Sequence, residues 1–466
     1  MAEFSLPKDF KFYEALTSLD GRFRSNVEDL SEYFSEKASN KGRVQVEIEY
    51  LVFLCEKVIK LQLSATEIKN LRKIYQDFSN EDTEAVIKID LEINHDTKAV
   101  ELFIGARLRR LKLEKLVPYV HFCLTSADTD NNAVSLSLKN FLQEVYLPQT
   151  KKLIAALGAL AKRTKSDVIL GKTHGQPAVP TTMGKELINF ALRAYKRLKH
   201  MQDYQVEGKM SGAVGDFNAH LAAFPELDWP KLSAEFVTGL GLRPFLFNTQ
   251  ILPYDNYVYI FQQVKMLNYV LIALAQDVWR YISDDYFLLK LNEKEVGSST
   301  MPQKVNPIDF EMAESYLTLA NGLFTVFEAK LFTSRLQRDL VDKYLIREMG
   351  AAWAATIMAY RGLETGLGKV VFNNALATEV LNQHWEVITE GIQTILRTTG
   401  DPKAYDKLKI FSRGKILTAK EIKKFVESLK VNSQTKKKLL KLTPASYLGA
   451  AEKLVDLGLE IIFESN

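Results

Sequence analysis

Between Ile260 and Val278, apolar side chains recur at Ile260, Val264, Leu267, Leu271, Leu274 and Val278, in alternating steps of four and three. That spacing lays one apolar stripe along a long helix, narrow enough to act as a coiled-coil-like seam. A seam of this kind needs helical partners, and the chain supplies them. Leu187, Ala191, Ala194 and Leu198 form a second stripe and Leu153, Leu157 and Leu160 a third. Met312–Leu331 reads the same way, with Leu317, Leu323, Val326 and Phe327 on overlapping faces. Breakers are scarce, with 23 glycines and 13 prolines among 466 residues, below the usual share of roughly 12%. No run of alternating β-branched residues is long enough for a major sheet. The chain reads as all-α, its middle a bundle of long helices.

At about 150 residues per domain, the length suits roughly three domains. Composition and turn signals divide it into an N-terminal helical domain 1–117, a central bundle 118–368 and a C-terminal helical domain 369–466. The first long bundle helix is expected to begin near Ser126–Asn132. A 47% hydrophobic and 25% charged composition excludes a disordered chain. The net charge of +4 is too small to imply nucleic acid or an acidic membrane surface. Lys436-Lys437-Lys438 lacks an interleaved aromatic and reads as a solvated helix face. Met1–Phe10 mixes charges with no apolar core, so it is not a secretory leader. Apolar stretches such as Tyr269–Ala275 fall short of the ~20 residues of a spanning helix. Cys55 and Cys123 cannot build a disulfide framework, which favours a reducing compartment. A soluble cytoplasmic protein is expected, with no nucleic-acid or membrane partner.

Several motifs fail on inspection. Gly171-Lys172-Thr173 resembles the end of a phosphate-binding loop, but Ser166 stands where that loop needs glycine. The glycine pairs 239/241 and 366/368 begin a dinucleotide fingerprint that Pro244 and Val371 break. His121 and Cys123 have no second pair at a metal-ligand spacing. No cofactor and no metal are expected.

Four polar segments do not look like packing. The stretch 297–307, Gly-Ser-Ser-Thr-Met-Pro-Gln-Lys-Val-Asn-Pro, is a long loop between helical stretches. Such loops are more often functional than filler, although Ser298 and Ser299 also suit helix caps. Thr173-His174-Gly175-Gln176-Pro177 places a histidine at a loop or helix start, either accessible for proton transfer or satisfied by nearby backbone. Asn94-His95-Asp96 and Thr125-Ser126-Ala127-Asp128 group short donors and acceptors at the edges of apolar stretches, where caps are the plain alternative.

Taken together, the segments resemble a known group. Ser-Ser-x-Met-Pro-x-Lys-x-Asn-Pro at 298–307 is similar to the signature of fumarase/aspartase superfamily lyases, and Thr173–Gln176 and Thr125-Ser126 occur in the same order there. The closer resemblance is to the bacterial-type adenylosuccinate lyase family. It is carried by Asp20–Phe23, Asn94–Asp96, Gly212–Gly215, Trp279-Arg280, Pro307–Glu311, Gln337–Leu340, Ser412–Lys415 and Leu442–Pro444. It spans about residues 15–455.

The resemblance implies a three-domain fumarase/aspartase-like fold and a homotetramer with active sites shared between subunits. The substrates it implies are small-molecule nucleotides: adenylosuccinate, cleaved to AMP and fumarate, and succinylated aminoimidazole carboxamide ribotide (SAICAR), cleaved to AICAR and fumarate. Ser298 matches the family's base, His174 its general acid, Lys304 the cation beside the base, and His95 a histidine near the phosphate and the catalytic histidine. The substrate-binding set it implies is Arg22, Phe23, Asn94, His95, Asp96, Thr125, Ser126, Gln250, Ser299, Lys304, Val305, Asn306, Arg338, Lys343 and Arg347. Phe23 stands where tyrosine is usual, Gln303 and Tyr254 where histidine is, Met312 where asparagine is and Lys343 where serine is. These departures bear on nucleotide contacts and leave the acid and base in place. A sister lyase such as argininosuccinate lyase or fumarase, and a non-catalytic helical scaffold, are the competing readings.

Overall fold

The computed structural model describes residues 11–290, 301 and 303–464. Its long helices are Glu36–Lys57, Ser126–Phe141, Leu147–Arg163, Met183–Gln202, Asp255–Ser283, Ile308–Leu331 and Met349–Lys369. The first bundle helix thus begins at Ser126, inside the expected window. A π-helical turn, Leu142–Tyr146, carries it without a break into Leu147–Arg163. Strand content among the described residues is three two-stranded sheets. They pair Val168–Thr173 with Gln176–Thr182, Glu207–Gly208 with Arg243–Pro244, and Phe287–Leu289 with Val370–Phe372.

By internal contacts the chain divides into two compact units. One comprises Met1–Gln149, Lys199–Asn268 and Tyr316–Met358; the other comprises Thr150–Leu198, Tyr269–Ser315 and Ala359–Asn466.

In the first unit, Ser35 caps the Glu36–Lys57 helix by accepting from the Ala38 N–H at 3.1 Å. Along that helix Val44, Ile48, Leu51 and Cys55 are buried at helical spacing, against Leu71, Phe78, Val86, Phe103, Ile104 and Leu108. The polar run after Phe78 begins a helix. Ser79 and Asp82 form a capping box that starts Asn80–Ile93. A second core centres on buried Trp353, whose ring lies 4.9 Å from Phe141 and 5.1 Å from Phe324. Beside it, Asn268 donates to Asn321 at 2.9 Å, a buried amide pair of the sort that holds helices in one register.

In the second unit, Trp279 donates to Glu311 at 3.1 Å and Lys369 pairs with Asp309 at 2.8 Å. Leu170 of the hairpin is buried with Leu381, Ile388, Ile392, Leu408 and Val426 of the C-terminal helices.

All six residues of the 260–278 stripe are buried, as are the stripes at 187–198 and 153–160. The fourth stripe needs correction: Val326 is 51% exposed and Leu323 half-buried. The buried line is Ala313, Leu317, Ala320, Phe324, Phe327 and Leu331. This helix is apolar on several faces, so periodicity alone does not choose among them. By length and composition, Asp255–Ser283 contains an 18-residue window apolar enough to cross a membrane, longer than the apolar stretch Tyr269–Ala275 read from the sequence. In the fold 61% of that window is buried, as in a core helix. Lys436–Lys438 lie on the short helix Ser433–Leu440, with Lys437 and Lys438 exposed and Leu439 buried beneath them.

Candidate active site

The first unit gathers most of the nominated binding residues. Thr125, in an extended conformation, precedes the Ser126–Phe141 helix, and its N–H donates to Asp128 at 2.9 Å. Just before it, His121 and Cys123 both hold positive φ, +57° and +61°. Non-glycine residues adopt that region at a cost of roughly 1 kcal/mol or more each. Glu47, 2% exposed, secures the bend. It accepts from the His121 N–H at 3.1 Å and from Thr129 Oγ1 at 2.6 Å, and lies 2.6 Å from His121 Nδ1. Burial works against a charged His121, but the hydrogen bond and charge of Glu47 outweigh it and raise the imidazole pKa. The result is a carboxylate-backed imidazole four residues from Thr125. The sequence offers His121 only as a metal-ligand candidate, and nothing local signals Glu47, 74 positions away.

Asn94 ends one helix in the left-handed conformation, φ +53°, and His95 begins the next. His95 Nδ1 accepts from the Lys98 N–H at 3.1 Å, which leaves Nε2 to carry the ring proton in the neutral form. The cap alternative is therefore real for both residues, and it leaves the exposed Nε2 edge available. Asp96 is the centre of a charged cluster. Its carboxylate lies 3.1 Å from Arg43, 2.7 Å from Lys343 and 3.0 Å from Arg347. Asp130 adds contacts of 2.7 Å to Arg43 and 3.3 Å to Lys343. Burial alone raises the pKa of both carboxyls, but the attached cations win and lower them. Lys343, in place of a serine, is thus held by two carboxylates. The Asp130–Lys343 side of the cluster lines a cavity of about 220 Å³ that Arg338 and Arg347 also border, with Tyr33 and Phe34 on its wall.

Gln250 donates to the Ala213 carbonyl at 3.1 Å and accepts from Arg338 at 3.2 Å. Tyr254 is buried: its hydroxyl donates to Asp342 at 2.7 Å and accepts from Asn131 at 3.0 Å. The residue that departs from histidine is therefore part of the interior. Arg22 lies over the Phe23 ring at 5.8 Å, and Phe23 meets Tyr316 edge-on at 6.1 Å.

The second unit holds the nominated acid. His174 and Gly175, with φ of +53° and +72°, form the two-residue turn of the Val168–Thr182 hairpin. A turn with both central φ positive matches the twist of the strands it joins. A hairpin tip thus replaces the expected loop or helix start, because His-Gly takes positive φ where bulkier pairs resist it. His174 is exposed, and no described residue hydrogen-bonds its ring. Lys304 and Val305 are exposed and Asn306 half-buried on the segment that enters the Ile308–Leu331 helix. The Lys304 N–H closes a turn onto the Met301 carbonyl at 3.1 Å. Ser298 and Ser299 lie outside the described residues. Pro307, not a serine, immediately precedes the helix that follows.

Residues 21–322 match the family described as Lyase and residues 334–448 the one described as Adenylosuccinate lyase C-terminal. The chain is 39% identical over 445 residues to "Adenylosuccinate lyase" of Legionella pneumophila (strain Corby), covering 95% of this chain and 98% of that one. It is 42% identical over 448 residues to "Adenylosuccinate lyase" of Dictyostelium discoideum, covering 93% and 96%. Against that of Haemophilus influenzae it is 40% identical over 446 residues, covering 95% and 98%. Among solved structures, a fumarate lyase from Mesorhizobium sp. BNC1 superposes with TM-score 0.76 at 17% identity, covering 93% of this chain and 97% of that one. The 3-carboxy-cis,cis-muconate lactonizing enzyme from Pseudomonas putida gives 0.78 at 17%, covering 96% and 99%. At such identity these two establish the all-α fumarase/aspartase-like fold alone. Likeness near 40% along almost the whole length, joined to two family matches in chain order, goes further: the chain belongs to the adenylosuccinate lyase family, carbon–nitrogen lyases of the fumarase/aspartase superfamily.

Proposed function

We propose that the protein eliminates fumarate from adenylosuccinate, leaving AMP, and from SAICAR, leaving AICAR. The observation that carries this reading is the near-full-length likeness to relatives named adenylosuccinate lyase. The reaction is an anti β-elimination. Ser298, ionised, removes a proton from the succinyl carbon beside a carboxylate. The electron pair left behind is delocalised into that carboxylate and then forms the C=C bond of fumarate as the C–N bond breaks. His174 gives a proton to the departing nitrogen. A serine hydroxyl is a weak base, so its ionised form needs a nearby cation, the role assigned to Lys304. Donors around the succinyl carboxylate lower the barrier by meeting the charge as it develops.

Thr125, Ser126, Asn94, Gln250, Lys304 and Asn306 hold the succinyl carboxylates, the base and the ribose, with Ser299 and Val305 in the same binding set. Arg22, Arg338 and Arg347 anchor the phosphate and carboxylates, because guanidinium forks suit both. Phe23, His95, Asp96 and Lys343 border the nucleotide. Support comes from the charged cluster around Asp96 and from the exposed imidazole of His174, whose ring no described residue hydrogen-bonds. The protein acts in the cytoplasm as a homotetramer in which each site draws on more than one subunit. The divisions at 117 and 368 mark its three domains.

Adenylosuccinate added to the purified protein loses its ultraviolet signature while AMP and fumarate appear on chromatography, and Ser298→Ala abolishes the change. A folded tetramer silent toward both substrates would return the reading to a sister lyase or a scaffold.

A further inference from the structure

One charged pair in the first unit belongs to no step above. Lys209 is 0% exposed and Asp128 1%, and the ammonium lies 2.9 Å from the carboxylate. Two of the pair's partners, Thr125 and Gln250, belong to the candidate site. Asp128 accepts from the backbone N–H groups of Thr125 at 2.9 Å, Ser211 at 2.9 Å and Gly212 at 3.0 Å. Lys209 donates to the main-chain carbonyl of Gln250 at 2.5 Å. Asn132 closes the frame, donating to the Lys209 carbonyl at 2.6 Å and accepting from its N–H at 3.0 Å. Three segments distant in sequence are pinned at one point: the helix start at 125–128, the loop 209–213 and the strand exit at 248–250. The chain just beyond this loop is closely packed. Gly215 holds φ +89°, and a Cβ there would come within 2.3 Å of the Asn248 carbonyl.

A buried ion pair is weak evidence for stability, because desolvating two charges offsets most of their attraction. Hydrophobic residues of equal volume would fill this space at no worse energy. What they cannot do is bind three backbone N–H groups and one carbonyl in fixed directions. We propose that Asp128 and Lys209 are positioning residues, which set Thr125, Ser126 and Gln250 at the spacing the substrate's carboxylates and base require. Lys209 acts on Gln250 through its main chain, so the Gln250 side chain, already held by Ala213 and Arg338, keeps one orientation. The inference rests on the reaction proposed above.

Steady-state kinetics on adenylosuccinate, run beside thermal melting, tests it. Lys209→Arg keeps the charge but cannot place one nitrogen against both Asp128 and the Gln250 carbonyl. It is expected to melt within a few degrees of the parent, since a larger buried side chain carries a packing cost, and to raise KM roughly tenfold, within the range by which contacting residues couple. In a Gln250→Ala background the same change adds less than about twofold, because the group it positions is gone. Asp128→Asn with Lys209→Met, which removes both charges, is expected to melt within a few degrees of the parent with KM raised likewise. A parent-like KM in Lys209→Arg, or effects of Lys209→Arg and Gln250→Ala that multiply, overturns the proposal. A double variant that loses its fold while Lys209→Arg keeps normal KM makes the pair a folding element only. A parent without turnover sinks the reaction itself, independently of these variants.

Discussion

The two units treat their chemically important side chains in opposite ways. In the first, Asp96, Lys343, Arg347, Gln250 and Arg338 are already paired with protein groups. In the second, His174 stands on an exposed hairpin tip and Lys304 on an exposed approach to a helix. Groups that bind a polyanionic nucleotide gain from being held in place beforehand, since orientation is then not lost on binding. A histidine that gives a proton to the substrate must keep one ring nitrogen open to it, and an exposed hairpin tip leaves that edge accessible. On the proposed reaction, the contrast separates holding from reacting.

Variants of the reacting residues should sharpen that contrast most. His174→Ala is expected to lower kcat by a hundredfold to ten-thousandfold, the scale of a lost general acid, while leaving the melting temperature unchanged because no described residue depends on the ring. Near-normal turnover, or a drop in melting temperature that accounts for the loss, would end its assignment. Mixing inactive Ser298→Ala and His174→Ala proteins should restore partial activity after verified subunit exchange; no recovery would count against sites shared between subunits.

The holding residues should fail in the reverse manner. Arg43→Ala leaves Asp96 and Asp130 short of a buried cation and is expected to cost about 3–5 kcal/mol in denaturant unfolding. A loss under about 1 kcal/mol would show that the cluster is not the rigid element described.

A smaller effect belongs to His220, buried with its ring edge-on to Trp229 at 4.6 Å. Burial lowers its pKa to about 4, and Lys209 assists while Asp128 opposes. The unfolded chain therefore takes up the proton first. The stability this neutral imidazole lends is intact above pH ~6.5 and is lost as pH falls toward 4, by about 3 kcal/mol. His121 has the opposite sign: Glu47 raises its pKa, so its contribution is fully present below the unfolded value and fades as pH rises through the folded one. Unfolding titrations of the parent and His220→Gln should differ in slope between pH 6.5 and 4; equal slopes would refute the neutral assignment.

Some of the site was legible because its cues are short-range. The Ser126 helix start, the burial of the 260–278 stripe and the polar motifs around His95, Thr125 and His174 each depend on residues within a few turns of one another. The His174 turn was less legible, since the same dipeptide suits a loop, a helix start or a hairpin until the strands on either side are seen to pair. The fourth stripe failed for a related reason: a helix apolar on several faces does not declare which one the core will use.

By itself the sequence determined the helices and their breakers and nominated the candidate reacting residues, because periodicity, capping and motif order are written locally. Only the tertiary structure decided the partners. Lys343 meets Asp96 across 247 positions, Asp128 receives the Gly212 N–H across 84, and His121 finds Glu47 across 74. No local pattern encodes such meetings. They follow from the way packed helices bring distant side chains into a space where an unpaired charge would be too costly to bury.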